Sequence, residues 1–216
     1  MRTLVVKYLP SGKASNTKIL LDYFKNNIKG DIQELDLLSE RPPIFTPESL
    51  EAYDLRDYLG EKLDSNLENK IKPFDEIINK FVNNDIVVIA CPFYNFSYPG
   101  EMKNFFDAIL LLGQTFTQHV ENGITKYKGL MEGKKILTIY TAAGNVKEGS
   151  PHYHLNFLEP LGKTMYELMG FSEMKFVTAA VRIRFMSPEG KNEELTKKSI
   201  ASACEELKEI AMKWYA

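Results

Sequence analysis

Residues 86–91, Ile-Val-Val-Ile-Ala-Cys, form an unbroken apolar run in the middle of the chain. A strand without polar interruption predicts burial on both faces, which is typical of parallel sheets covered by helices. The segment KKILTIYTAAG, residues 134–144, predicts another buried strand, and EMKFVTAAVRI, residues 173–183, predicts a final one. The core is therefore expected to be a largely parallel sheet.

Helical patterns alternate with these strands and with two further predicted strands, RTLVVKYL (2–9) and DIQELDLL (31–38). Strands alternating with helices predict an α/β protein, and right-handed crossovers fit a doubly wound sheet of order 2-1-3-4-5. The predicted helices run from a Ser15 cap to Gly30, through 74–81, from Pro99 to Gly113, and over 155–169 and 193–214. No repeat or long linker divides the chain, so one domain over residues 1–216 is expected.

An added β-hairpin is predicted within TFTQHVENGITKYKGL, residues 115–130. Its centre is Asn122-Gly123, and Asn-Gly between alternating segments is a strong signal for a two-residue turn. The hairpin is therefore expected to stand beside the five-stranded sheet.

Charge and composition exclude several classes of partner. The net charge is −2, so no broad basic surface for nucleic acid or anionic lipid is indicated. The apolar runs are too short to span a bilayer, and the N-terminus reads as a strand without a signal-peptide cleavage site. Only Cys91 and Cys204 occur, without metal-ligand spacing, which favours a reducing, cytoplasmic compartment.

A ligand site is expected where the strand order of such a sheet reverses, beyond the carboxyl ends of the first and third strands. Three loops converge there: residues 9–17, 92–98 and 141–146. The first loop opens a helix with Ser15, Asn16 and Thr17, whose hydroxyls and amide, with free backbone N–H groups, suit a phosphate. An ordinary helix cap explains the same residues equally well.

The second loop places aromatic residues at the end of a buried strand. Phe93, Tyr94, Asn95 and Phe96 follow Pro92, where a planar ring such as an isoalloxazine could be covered by aromatic side chains and bonded at its edge. The alternative is that these aromatics belong to the core. In the third loop, Thr141, Ala142, Ala143 and Gly144 are small enough for a close approach of the backbone to a ring.

These segments resemble the FMN-dependent NADH-azoreductases, flavodoxin-fold relatives of the NAD(P)H:quinone reductases. The family pattern P-M-Y-N-F, L-K-x-Y-F-D and G-x-T-F is similar to residues 92–96, to 102–107 and to Gly113 with Thr115 and Phe116. The family's E-N-G and G-K-K segments match 121–123 and 133–135. Three residues depart from the pattern: Phe93 replaces Met, Ala142 stands where Arg is frequent, and Val146 where His is frequent.

The resemblance implies a flavodoxin-like domain that holds FMN and passes electrons from NADH or NADPH to quinones, azo compounds or nitroaromatics by a two-step, ping-pong exchange. FMN carries the chemistry, so no catalytic side chain is expected, and Asn95 supports the ring. Phe96 and Phe116 are predicted to stack on the aromatic acceptor, and a homodimer is expected. The implied cofactor contacts are Ser15, Asn16, Thr17, Pro92, Phe93, Tyr94, Asn95, Phe96, Thr141, Ala142, Ala143 and Gly144.

Two other functions stay open at this point. A flavodoxin-like electron carrier would bind FMN without turnover, although the near-neutral charge argues against it. An acyl-carrier-protein phosphodiesterase-type hydrolase would need a nucleophile and base that the sequence does not display. His152 and His154 are interpreted as surface or supporting residues rather than as a metal site, and Cys91 and Cys204 as packed residues.

Overall fold

A computed structural model describes residues 1–181 and 191–216. Residues 182 and 183 of the last predicted strand lie outside them. The strands are β1 (Arg2–Lys7), β2 (Asp31–Asp36), β3 (Ile86–Pro92), β4 (Phe116–Glu121), β5 (Ile124–Gly129), β6 (Lys135–Ala142) and β7 (Glu173–Ala180). The α-helices are α1 (Asn16–Asn26), α2 (Pro47–Tyr53), α3 (Ser65–Val82), α4 (Gly100–Ile109), α5 (Leu158–Met169) and α6 (Lys191–Trp214). No helix in these ranges combines the length and apolarity needed to cross a bilayer.

Five strands form one sheet in the order β2-β1-β3-β6-β7, and each neighbouring pair is parallel. Without the hairpin strands β4 and β5, this is the predicted order 2-1-3-4-5, which is confirmed. The order reverses between β1 and β3, so the loops after these strands begin at the same edge of the sheet.

Alternate side chains of the central strands lie in two separate cores. On β1, Leu4 and Val6 join the core that contains buried residues of α2, α3, α4 and α5, whereas Val5 joins the core of α1 and α6. The same alternation holds along β3, where Val87 and Val88 face opposite cores. Because both faces need apolar side chains, the run at 86–91 has no polar position.

Several helix ends differ from the predictions. Helix α1 ends at Asn26, before Gly30, which instead has φ of +124° in the turn into β2. A Cβ at Gly30 would stand 2.6 Å from the carbonyl oxygen of Met1. Helix α4 ends at Ile109, four residues before Gly113, and α5 begins at Leu158 after a short 3₁₀ turn.

The charged segment before residue 74 is helical from Ser65 onward. Asp64 caps this helix, since its side chain accepts hydrogen bonds from the N–H groups of Asn66 and Leu67 at 3.0 and 2.9 Å. Helix α3 continues through Pro73, a residue that removes one backbone donor. The weak apolar periodicity of 65–72 hid this first half of the helix.

The hairpin around Asn122-Gly123 is confirmed. Both turn residues have positive φ, 52° and 74°, as a two-residue turn between twisted strands requires. At its base, Gly129 lies against the backbone of Met169 and Gly170, so closely that a Cβ on Gly129 would stand 2.3 Å from Gly170 N. The N–H of Met131 donates to the carbonyl of Met169 at 2.8 Å beside this contact.

Candidate functional site

The three predicted loops are bonded to one another at the carboxyl edge of the sheet. The hydroxyl groups of Thr17 on α1 and Thr141 on β6 are 2.7 Å apart and buried. The N–H of Phe93 donates to the carbonyl of Thr141 at 2.9 Å. Thr141 therefore joins the first loop to the second, and the three segments form one rim.

The first loop forms the helix cap expected of it. Ser15 Oγ accepts a hydrogen bond from Lys18 N at 3.2 Å, and Thr17 is completely buried in its contact with Thr141. The first N–H groups of a helix have no partner within the helix, and those of α1 open at this rim. The cap at Ser15 is therefore compatible with a phosphate site at the start of α1, but the Thr17 side chain is buried away from such a ligand.

The second loop contains a tight turn with strained backbone. Tyr94 and Ser97 exchange two backbone hydrogen bonds of 3.1 and 3.0 Å. Between them, Asn95 has φ of 46° and Phe96 has φ of 72°, the left-handed region that costs a residue with a Cβ about 1–2 kcal/mol. Such strain persists only where the surrounding structure imposes it, and strained residues cluster at functional sites.

This turn presents aromatic rings to solvent. Tyr94 is 43% exposed and Phe96 49% exposed, so neither belongs to the core. Phe93 is half-buried and its ring lies 5.9 Å from that of Tyr140. The carbonyl of Phe96 accepts a hydrogen bond from Phe157 N at 2.9 Å, which fixes the turn to the start of α5.

The turn and the loop after β6 enclose a cavity of about 320 Å³, here called the switch-point cavity. This volume lies within the roughly 300–1,000 Å³ typical of small-molecule sites. Its lining residues are Phe93, Asn95, Phe96, Ala142, Ala143, Gly144, Val146, His152 and Leu155. The first six belong to the predicted contact set.

The other predicted contacts do not line this cavity. They stand around it: Ser15, Asn16 and Thr17 at the start of α1, and Pro92, Tyr94 and Thr141 along the adjoining strand ends and turn. Phe116 is also absent from the lining. It is 7% exposed, and its ring lies 6.0 Å from that of Tyr127 on the partner strand of the hairpin. The structure therefore places Phe116 with the packing of the hairpin rather than with the cavity.

Three lining residues were missed as contacts: Val146, His152 and Leu155. They come from an irregular loop whose course has no periodic signal. Asn156 Nδ2 holds this loop by donating to Val146 O at 3.1 Å and to Tyr140 Oη at 3.0 Å. Tyr140 in turn donates to Glu159 at 2.6 Å. Burial is the larger cause, and this hydrogen bond the next, of a raised pKa for the Tyr140 hydroxyl.

Beneath the turn, buried hydroxyl groups form a chain from the sheet to the loop. Thr138 Oγ1 lies 2.8 Å from Tyr166 Oη, which lies 3.2 Å from Tyr98 Oη. Tyr98 passes close over α5 at Gly162, where a Cβ would stand 2.3 Å from its hydroxyl oxygen. Tyr98 follows Ser97 directly, so this chain anchors the strained turn to the core.

Neither cysteine is arranged as a nucleophile. Both thiols are free; Cys91 is fully buried, and burial raises its pKa far above the usual range. Burial also raises the pKa of Cys204. Within residues 1–181 and 191–216, no three side chains of His, Cys, Asp or Glu are grouped as a metal site would need.

A five-stranded parallel sheet with this order, and a cavity at its reversal point, define a protein with a flavodoxin-like fold. The model of the family described as having a flavodoxin-like fold matches residues 1–206. The chain is 31% identical over 211 residues to an FMN-dependent NADH:quinone oxidoreductase of Photobacterium profundum, covering 96% of this chain and 98% of that protein.

A similar relative from Staphylococcus haemolyticus carries the same name and is 30% identical over 206 residues, covering 91% of each chain. The chain therefore belongs to the family of FMN-dependent NADH:quinone oxidoreductases. Among solved structures, an FMN-dependent NADH-azoreductase of Bacillus anthracis, in complex with FMN, has a TM-score of 0.79 at 22% identity. It covers 100% of this chain and 99% of its own, and it shows the shared fold.

Proposed function

We propose that this protein is an FMN-dependent oxidoreductase that transfers electrons from NADH to quinones, and to azo or nitroaromatic compounds. The observation that carries the proposal is the switch-point cavity, bounded by a strained aromatic turn and a small-residue strand end, in a chain of this family. We treat residues 1–216 as a single FMN-binding domain.

The residues around the cavity suit the two ends of FMN. At the phosphate end, the start of α1 offers the hydroxyl of Ser15, the Asn16 amide, and N–H groups at the positive end of a helix, whereas the buried Thr17 hydroxyl holds this segment in place through Thr141. At the ring end, Ala142, Ala143 and Gly144 leave their backbone accessible to a ring edge. Thr141 connects the two ends through Thr17.

Bound FMN supplies a group that accepts and returns a pair of electrons, and this chain supplies orientation and electrostatics. The half-buried ring of Phe93 and the exposed ring of Phe96 line the cavity, where they would cover apolar surface of bound FMN and reduce the access of water. The Asn95 amide can donate to a polar edge where negative charge develops. One cavity serves the donor and then the acceptor in turn, which gives a ping-pong order.

Phe96 is proposed as the surface on which an aromatic acceptor stacks. Half of its surface is exposed beside the cavity, and offset stacking of aromatic rings contributes about 0.5–1.5 kcal/mol beyond burial. The bond from Phe157 N to the Phe96 carbonyl fixes the backbone of the turn that carries this ring beside the cavity.

An absorption spectrum of the purified protein, followed by anaerobic addition of NADH, tests the proposed function. We expect a flavin band that NADH bleaches and that a quinone restores over many turnovers. A flavin band without steady NADH consumption would favour the electron carrier. A colourless protein that cannot be reconstituted with FMN, yet releases phosphopantetheine from acyl carrier protein, would favour the hydrolase.

Asn95 can be tested with a pair of substitutions that separate its amide from its backbone. We expect both Asn95→Ala and Asn95→Gly to weaken FMN binding by about 10-fold, the scale of one net hydrogen bond. Glycine adopts positive φ without strain, so it removes the amide and keeps the turn. Fluorescence titration of FMN measures both affinities. An Asn95→Gly variant with unchanged affinity would show that only the backbone matters.

We also propose that the protein forms a homodimer in a reducing cytoplasm. Exposed apolar side chains on the hairpin, Val120, Ile124 and Tyr127, support a partner surface, because exposed apolar groups on one element favour association. Two free cysteines support the compartment. Sedimentation equilibrium measures the mass of the assembly directly.

A further inference from the structure

His152 is the ionisable residue that lines the switch-point cavity. The other lining residues have apolar side chains, apart from Gly144, which has none, and Asn95, which has a neutral amide. Asn95 comes from the turn after β3, and His152 from the loop after β6. Each wall of the cavity therefore contributes one side chain with hydrogen-bonding groups, and such sites use a few polar groups to fix a ligand's orientation.

The imidazole of His152 is available to a ligand. The neighbouring His154 has its Nδ1 3.0 Å from the carbonyl oxygen of Pro151. Within residues 1–181 and 191–216, the imidazole of His152 forms no hydrogen bond of this kind. Lys147 in the same loop is 2.5 Å from Glu206 on α6 and does not line the cavity.

The loop that carries His152 is held by its own hydrogen bonds. The carbonyl of His152 accepts from Leu155 N at 3.0 Å, and Tyr153 N donates to Ser150 O at 3.1 Å. Ser150 Oγ donates to Asn145 O at 3.0 Å, which closes the loop on itself. These bonds fix the backbone that carries His152, which reduces the entropic cost of a contact made by its side chain.

We propose that His152 donates a hydrogen bond to the ring edge of the bound cofactor and so raises both its affinity and its midpoint potential; this rests on the proposed function. A neutral imidazole carries one N–H donor, and the carbonyl oxygens and nitrogens of an isoalloxazine edge are acceptors. A donor aimed at the place where negative charge develops stabilises the charged state and shifts the potential upward.

The test compares His152→Leu, which removes the donor, with His152→Gln, which keeps an N–H donor on a side chain of similar reach. His154→Leu is the matched control, since His154 lies two residues away and does not line the cavity. We expect His152→Leu to weaken FMN binding by about 10-fold, as for one hydrogen bond, and to make the midpoint potential more negative. His152→Gln and His154→Leu should remain close to the unchanged protein.

Fluorescence titration gives the affinity, spectroelectrochemical titration gives the potential, and the melting temperature reports folding. The proposal is overturned if His152→Leu matches His154→Leu in affinity and potential, or if His152→Gln is as impaired as His152→Leu. If the unchanged protein binds no FMN, the proposed function fails instead, so the two failures are distinguishable.

Discussion

Ala143→Trp should yield a colourless, folded protein whose affinity for FMN is lowered by at least about 100-fold, or roughly 2.7 kcal/mol. Ala143 lines the switch-point cavity and is itself exposed, so an indole there projects into the space of about 320 Å³ without disturbing the core. Substitutions at exposed positions usually change stability by less than about 0.5 kcal/mol. The indole should therefore interfere with binding of the FMN ring but not with folding.

The matched control is Ala201→Trp, which places the same indole on an exposed alanine of α6. Both variants are purified with added FMN, and their flavin content and melting temperatures are compared. We expect the control to retain the cofactor. An Ala143→Trp protein that stays yellow with unchanged affinity would show that FMN binds elsewhere.

Gly129→Ala should lower the free energy of unfolding by about 3 kcal/mol, near the top of the usual range for overpacking. The added methyl group would stand 2.3 Å from Met169 C and from Gly170 N, which are backbone atoms and cannot rotate away. Either the base of the hairpin or the end of α5 has to move. Chemical denaturation, monitored by circular dichroism, measures the loss.

Gly100→Ala is the control for this change. Gly100 begins α4, and a Cβ there meets no atom within 4 Å. We expect its stability to be unchanged or slightly raised, because alanine has a better helix propensity than glycine. Equal stabilities of the Gly129→Ala and Gly100→Ala variants would mean that the hairpin base can relax at no cost.

The strands and their order could be predicted because a strand buried on both faces has an uninterrupted apolar sequence. The run at 86–91 and the segment at 134–144 have to be apolar where helices cover both sides, and they became β3 and β6. The hairpin was equally accessible, since Asn122 and Gly123 are residues that tolerate positive φ. In each case a short local pattern decided the structure.

The details of the cavity depended on contacts between distant residues. The sequence Asn95-Phe96 does not indicate that Phe96 has φ of 72°, because a two-residue turn with positive φ at both positions usually has glycine as its second residue. His152 and Leu155 line the cavity from a loop that Asn156 bonds to Tyr140 and Val146, residues distant from it or outside any regular element. The resemblance to a family predicted cofactor contacts at the strand ends, and six of those residues line the cavity, while the structure added the wall formed by this loop.

The buried hydroxyl pair of Thr17 and Thr141 has a practical consequence for redesign. It ties the first turn of α1, where we propose that the phosphate binds, to the end of β6, where we propose that the ring lies, since Thr17 is on α1 and Thr141 is on β6. A substitution at one threonine that makes room for a bulkier nucleotide therefore also removes the hydrogen bond that holds the other segment. New cofactor preferences in this scaffold therefore call for paired substitutions at these two positions, because either change alone strands a polar oxygen away from water.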